Sequence, residues 1–161
     1  MALKQMETKK VIVGENSFYI KPFPAFKAAN LTGELASVLS PLIGAIAPLV
    51  GDGDLMDVDV NKAAETLSTS TVINGDRLET LMKKLLLGGN IVMEYEDENE
   101  DSQQEVLDKD LADEVFCGNV QDMFVLCVHV IKLNFNGFFK KLATLSGKAE
   151  QVATKIPRKI L

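Results

Sequence analysis

The segment that most restricts the fold is 120–135, where apolar residues recur with the spacing of an α-helix. Further apolar residues between them widen the hydrophobic stripe almost all the way round the predicted helix. A helix that is apolar on nearly every side is stable only when other elements cover it. We therefore predict that this segment is the central core helix. Its apolar residues include Val120, Met123, Phe124, Val125, Leu126, Cys127, Val128, Val130, Ile131 and Phe135.

Shorter amphipathic segments are expected to pack around this helix. Gly33 lies inside the first of them and weakens it by about 1 kcal/mol relative to alanine. Asp108 precedes another and is well placed to accept a hydrogen bond from an unpaired backbone amide at its start. The apolar spacing predicts helices over residues 25–39, 60–67, 75–87, 109–116 and 137–145. Phe26 is expected on the apolar face of the first, and Leu78 and Met82 on that of the third.

Two short runs of β-branched and aromatic residues near the start predict a hairpin, with strands at 11–13 and 18–20 around a turn at 14–17. A third strand is predicted near 91–95 and a possible fourth at 103–107. The acidic segment between these two is expected to be a solvated loop. The predicted class is therefore α+β, a mainly helical single domain with a small antiparallel β-sheet.

Length and charge narrow the functional classes. The chain has 161 residues, of which 47% are hydrophobic, enough for one core without a metal or a disulfide. We expect one domain over 1–147 and a fraying C-terminal tail over 148–161. The net charge of −6 disfavours nucleic acid, whose phosphates are bound mainly by Lys and Arg.

Cysteine usage and hydrophobic runs favour the cytoplasm. Cys117 and Cys127 lie in an apolar stretch, where a free cysteine behaves as a small hydrophobe. The first ten residues contain no apolar signal-peptide core. The run 41–50 is about half the length that crosses a bilayer. No membrane association is expected.

Residues suited to catalysis are scarce. His129 is the only histidine, and on the core helix it is predicted to be a partly buried residue. Cys127 lies two positions away, about 200° around the helix, so the two side chains cannot form a nucleophile–base pair. The loop 52–59 is rich in aspartate, but Met56, Asp57 and Ala63 occupy positions where a calcium loop needs other residues. We expect no enzymatic activity, no metal and no cofactor.

The segment 42–50 is a second, almost wholly apolar helix candidate. Such a helix is buried in the core or faces a partner. Two interpretations remain open at this point: ordinary core packing, and a groove or patch that receives a partner helix.

Three stretches resemble the tail assembly chaperones of long-tailed bacteriophages and Gram-positive prophages. Residues 110–124 (DLADEVFCGNVQDMF) and 130–142 (VIKLNFNGFFKKL) carry the closest likeness. Residues 18–27 (FYIKPFPAFK) resemble the start of the same family, where a hairpin leads into helices. The likeness covers most of residues 9–145, although 51–105 adds little to it.

This resemblance implies a protein that binds other proteins. Family members bind the tape-measure protein, a long helical chain that sets tail length, keep it soluble and help recruit tail-tube subunits. Self-association is a further expectation. The resemblance places the protein in the host cytoplasm and outside the mature virion. The alternative is a structural tail component, such as a tube, connector or completion protein, that stays in the particle.

The residues expected to contact the partner lie in the apolar segment 42–50 and in the phenylalanine-rich stretch 134–139. They are Leu42, Ile43, Ile46, Leu49, Phe135, Phe138 and Phe139.

Overall fold

In the computed structural model, residues 7–40, 59–69 and 74–135 are described. Within these ranges the chain forms a four-stranded antiparallel sheet and five helices, which confirms the α+β class. The helices predicted at 42–50 and 137–145 lie outside the described residues, so they and the division at 147 stay predictions. The strands are β1 Lys9–Val13, β2 Asn16–Ile20, β3 Ile91–Glu96 and β4 Ser102–Val106. The helices are α1 Ala25–Leu39, α2 Val60–Ser68, α3 Gly75–Leu86, α4 Lys109–Val115 and α5 Val120–Asn134.

The sheet has the order β1-β2-β3-β4. Its register follows the alternation of side chains, because Val11 pairs with Phe18 and Phe18 pairs with Met93, and all three are buried. The hairpin turn is tighter than the sequence indicated. Asn16 belongs to β2 and pairs with Val13, so the turn contains two residues instead of four.

The prediction of a central core helix is confirmed. Most of the length of α5 is buried, and Leu126 and Val130 are fully enclosed. Helices α2 and α3 and strand β1 all contact α5. Cys127 is buried as expected, whereas Cys117 is exposed, because it lies in the turn between α4 and α5.

Side-chain caps fix where three helices begin. Asp108 Oδ1 accepts a hydrogen bond from the amide of Leu111 at 2.8 Å, as predicted. Asp59 and Asn74 cap α2 and α3 in the same way. Each cap satisfies amides that have no partner within the helix, so the sequence specifies where each of these helices begins.

Replacing Gly33 with alanine is expected to raise the free energy of unfolding by up to about 1 kcal/mol. Helix α1 runs unbroken through Gly33, and a Cβ there would meet no atom within 4 Å. Chemical denaturation measures the change. Gly14→Ala is the control and should destabilise, because Gly14 has a φ of +62° and its Cβ would lie 2.6 Å from Asp122 Oδ2. A destabilising Gly33→Ala would contradict an unbroken exposed helix.

Candidate partner-binding groove

An apolar groove of about 250 Å³ lies where α3, α4 and the beginning of α5 meet, and we name it the α3–α4–α5 groove. Helices α3 and α4 form its walls. The buried side chains of Met82, Ala112 and Phe124 form its floor, and the half-exposed Val120 lies at its mouth. Its apolar side chains are Leu78, Met82, Leu86, Leu87, Ala112, Val120, Met123 and Phe124.

Helical spacing explains why these side chains share one surface. Leu78, Met82 and Leu86 are four positions apart and therefore lie in one row along α3. On the facing wall, α4 contributes the small side chain of Ala112. Val120 at the start of α5 is 51% exposed, a large value for an apolar residue beside a core. The groove is therefore continuous with the core at its base and open to solvent at its mouth.

Four charged residues form the rim of the groove. On α3, Lys83 Nζ lies 2.9 Å from Glu79 Oε1, and on α4, Lys109 Nζ lies 2.9 Å from Asp113 Oδ2. The pKa of Lys109 is raised by its hydrogen bond to Asp113 and by the charge of that carboxylate, with a smaller effect from Glu79 on the opposite wall. The rim thus alternates in sign and carries no net charge.

Of the predicted partner-binding residues, Phe135 is the one within the described ranges. It is 3% exposed, and its ring centroid lies 6.4 Å from that of Phe23. The Asn134 side chain also accepts a hydrogen bond from the Phe23 amide at 2.8 Å. Phe135 therefore packs in the core and presents no surface in the described fold. Leu42, Ile43, Ile46, Leu49, Phe138 and Phe139 lie outside the described residues and stay predictions.

Sequence reasoning missed the groove, although it identified its helices. Leu78 and Met82 were placed on the apolar face of α3, and Met123 on that of α5, without a distinction between core and groove. One signal was present in the sequence. Helix α5 starts with an apolar residue, Val120, directly after Gly118 and Asn119, where a polar residue is more usual on an exposed first turn.

The titratable residues of α5 are poor candidates for acid–base chemistry. His129 is partly buried as predicted, and burial, together with the charges of Lys132 and Lys9, lowers its pKa to about 4. Among the described residues no side chain hydrogen-bonds to its ring. Burial also raises the pKa of the Cys127 thiol, which leaves the thiol protonated and unreactive.

Acidic residues of β4, α4 and the turn between them line a second cleft. Glu105, Asp108, Asp110 and Glu114 line this shallow cleft with the ring of Tyr95. The pKa of Tyr95 is raised first by its hydrogen bond to Glu105 and then by nearby carboxylates. This negative surface disfavours phosphate groups. In the described part of the chain, no three His, Cys, Asp or Glu residues are grouped to hold a metal ion.

A comparison with known protein families gives a match over most of the chain. A family model described as phage tail assembly chaperone protein, TAC, matches residues 14–147. The chain belongs to the phage tail assembly chaperone family. The match runs from the β1–β2 turn through all five described helices, and it includes the whole α3–α4–α5 groove. No curated protein and no solved structure matches the chain significantly.

The described helices of this tail assembly chaperone are short. Within residues 7–40, 59–69 and 74–135, no helix is long and apolar enough to cross a membrane.

Proposed function

We propose that this tail assembly chaperone binds the tape-measure protein, keeps it soluble and helps recruit tail-tube subunits. It acts in the host cytoplasm and leaves before the virion is complete. The observation that carries the proposal is the family match over residues 14–147.

The physics of a long helical partner supports this proposal. A chain with a continuous apolar stripe aggregates while the stripe is exposed, and a binder with an apolar groove shields it transiently. The net charge of −6 then keeps the coated complex dispersed through mutual repulsion.

Further contacts are proposed for the segments outside the described residues. Leu42, Ile43, Ile46 and Leu49 form one set, and Phe138 and Phe139 form the other. Self-association along the tape measure is proposed as well, because a long partner offers many equivalent sites in a row.

The test is co-expression with a tape-measure protein encoded in the same genome, a long helical protein, followed by solubility and co-elution assays. We expect the long protein to become soluble and to elute with several copies of this chain. Ile43→Glu and Ile46→Glu should reduce co-elution while the circular dichroism spectrum is unchanged, and unfolded variants would place these residues in the core. If the long protein stays insoluble and mass spectrometry finds this chain in purified particles, a structural tail component is the correct interpretation.

A further inference from the structure

We infer that the α3–α4–α5 groove receives one amphipathic α-helix of the partner and recognises its apolar periodicity, not a fixed sequence. The occupant is a helix with one apolar stripe flanked by both acidic and basic residues. The identification of this helix with part of the tape-measure protein rests on the proposed function. The docking geometry rests on the groove itself.

The spacing of the α3 wall fits a helix. Leu78, Met82 and Leu86 form a row about 12 Å long, given a rise of 1.5 Å per residue. A helix lying along this row places its own side chains four and seven positions apart between those of α3, the usual interdigitation of packed helices. An extended strand would turn every second side chain away from the groove.

The chemistry of the floor selects apolar side chains but does not distinguish among them. A polar side chain of the occupant placed over Ala112 and Phe124 would lose water without gaining a hydrogen bond. Met82 and Met123 are unbranched and adapt to different neighbours, as in other binding surfaces that accept many sequences. Such a floor suits a partner whose successive segments differ in sequence.

Charge complementarity identifies the flanks of the occupant. Residues 94–114 contain eleven acidic side chains and one basic side chain, Lys109. A strongly basic peptide would therefore be drawn to the acidic cleft. The groove rim is different, because Lys83 and Lys109 balance Glu79 and Asp113. A helix with glutamate and lysine on either side of its stripe matches that neutral rim.

The experiment measures binding of a fluorescent, hydrocarbon-stapled helical peptide to the full chain by anisotropy. The peptide carries leucine at i, i+4, i+7 and i+11, flanked by glutamate and lysine. A second peptide with isoleucine, methionine and valine at the same positions should bind within about tenfold, whereas a scrambled peptide of equal composition should not bind. Since the rim is neutral, affinity should change less than about threefold between low and high salt.

Val120→Glu is the diagnostic variant. A carboxylate at the groove mouth opposes an apolar occupant and should weaken binding at least about tenfold. The fold should tolerate it, because Val120 is half exposed and an acidic residue suits the first turn of a helix. Phe26→Glu is the matched control, since Phe26 is exposed on α1 outside the groove. It should leave affinity unchanged within about twofold.

Three results would overturn this inference. They are equal affinity for the scrambled peptide, an affinity that Val120→Glu does not change, and an equal loss of affinity in Val120→Glu and Phe26→Glu. If the chain binds no peptide and Val120→Glu abolishes its self-association, the groove binds a second copy of this chain instead.

The docking inference and the proposed function can fail separately. If Val120→Glu still solubilises the tape-measure protein, the docking site lies elsewhere and the proposed function stands. If the peptide docks but no tape-measure protein is solubilised, the groove stands and the proposed function falls.

Discussion

Replacing Phe18 with alanine is expected to lower the free energy of unfolding by about 3–5 kcal/mol. Phe18 is fully buried in β2, an inner strand of the sheet. Its ring stacks on that of Phe116, with centroids 6.0 Å apart. Removal of the ring takes away apolar contacts between the sheet and the end of α4, and the packed surroundings close the resulting cavity only partly.

Phe26→Ala is the matched control, with the same chemical change at a residue that is 91% exposed. It should change stability by less than about 0.5 kcal/mol. Urea denaturation of both variants, with the slope checked for two-state behaviour, measures the difference. If Phe18→Ala and Phe26→Ala lower the free energy of unfolding by similar amounts, Phe18 does not lie in the core.

Helix positions could be predicted from the sequence, because apolar spacing and capping are local. Helix α1 occupies Ala25–Leu39 as predicted, and Asp108 caps α4 as predicted. The assignment of Phe26 to the apolar face of α1 was wrong. Phe26 lies about 180° around the helix from Leu35, which is fully buried, so its ring points to solvent.

The sheet was predictable as a set of strands but not as an ordered sheet. Alternation located the first three strands, and the possible fourth is present one residue earlier, at Ser102–Val106. The pairing of β2 with β3 joins residues far apart in sequence, such as Ile20 and Ile91, and no local signal specifies it. Burial in the common core favours this register, because it turns Phe18 and Ile20 of β2 and Ile91 and Met93 of β3 to the same buried face.

The groove could not be predicted, because its shape depends on how closely three helices approach. Apolar periodicity marks Leu78 and Phe124 equally as inward-facing, yet Leu78 is partly exposed and Phe124 is buried. The burial of Phe135 has a similar cause. Phe135 belonged to the apolar core segment and was also proposed to contact the partner. The chain entering α1 brings Phe23 against it, and so it packs in the core.

Acidification is expected to destabilise the protein through His129. Its pKa is about 4 in the folded chain and 6.5 in its unperturbed state, first because burial disfavours the charged ring. Between these pH values the unfolded chain binds a proton that the folded chain does not. This contribution to stability is therefore fully present above pH 6.5 and is lost as the pH falls toward 4.

Between pH 6.5 and 4 we expect the free energy of unfolding to fall by about 1–2 kcal/mol. This is less than the full pKa difference implies, because the ring keeps some contact with water. Lys132 on α5 and Lys9 on β1 also lower the pKa of His129, since both disfavour a further positive charge nearby.

His129→Gln removes the titrating group and keeps a side chain of similar size. It should make the free energy of unfolding, measured at pH 7, 5.5 and 4.5, less sensitive to acid. Carboxylates titrate equally in both proteins, so the difference between them isolates the histidine. If the free energy of unfolding falls with pH in parallel for the two proteins, His129 is solvated and has an ordinary pKa.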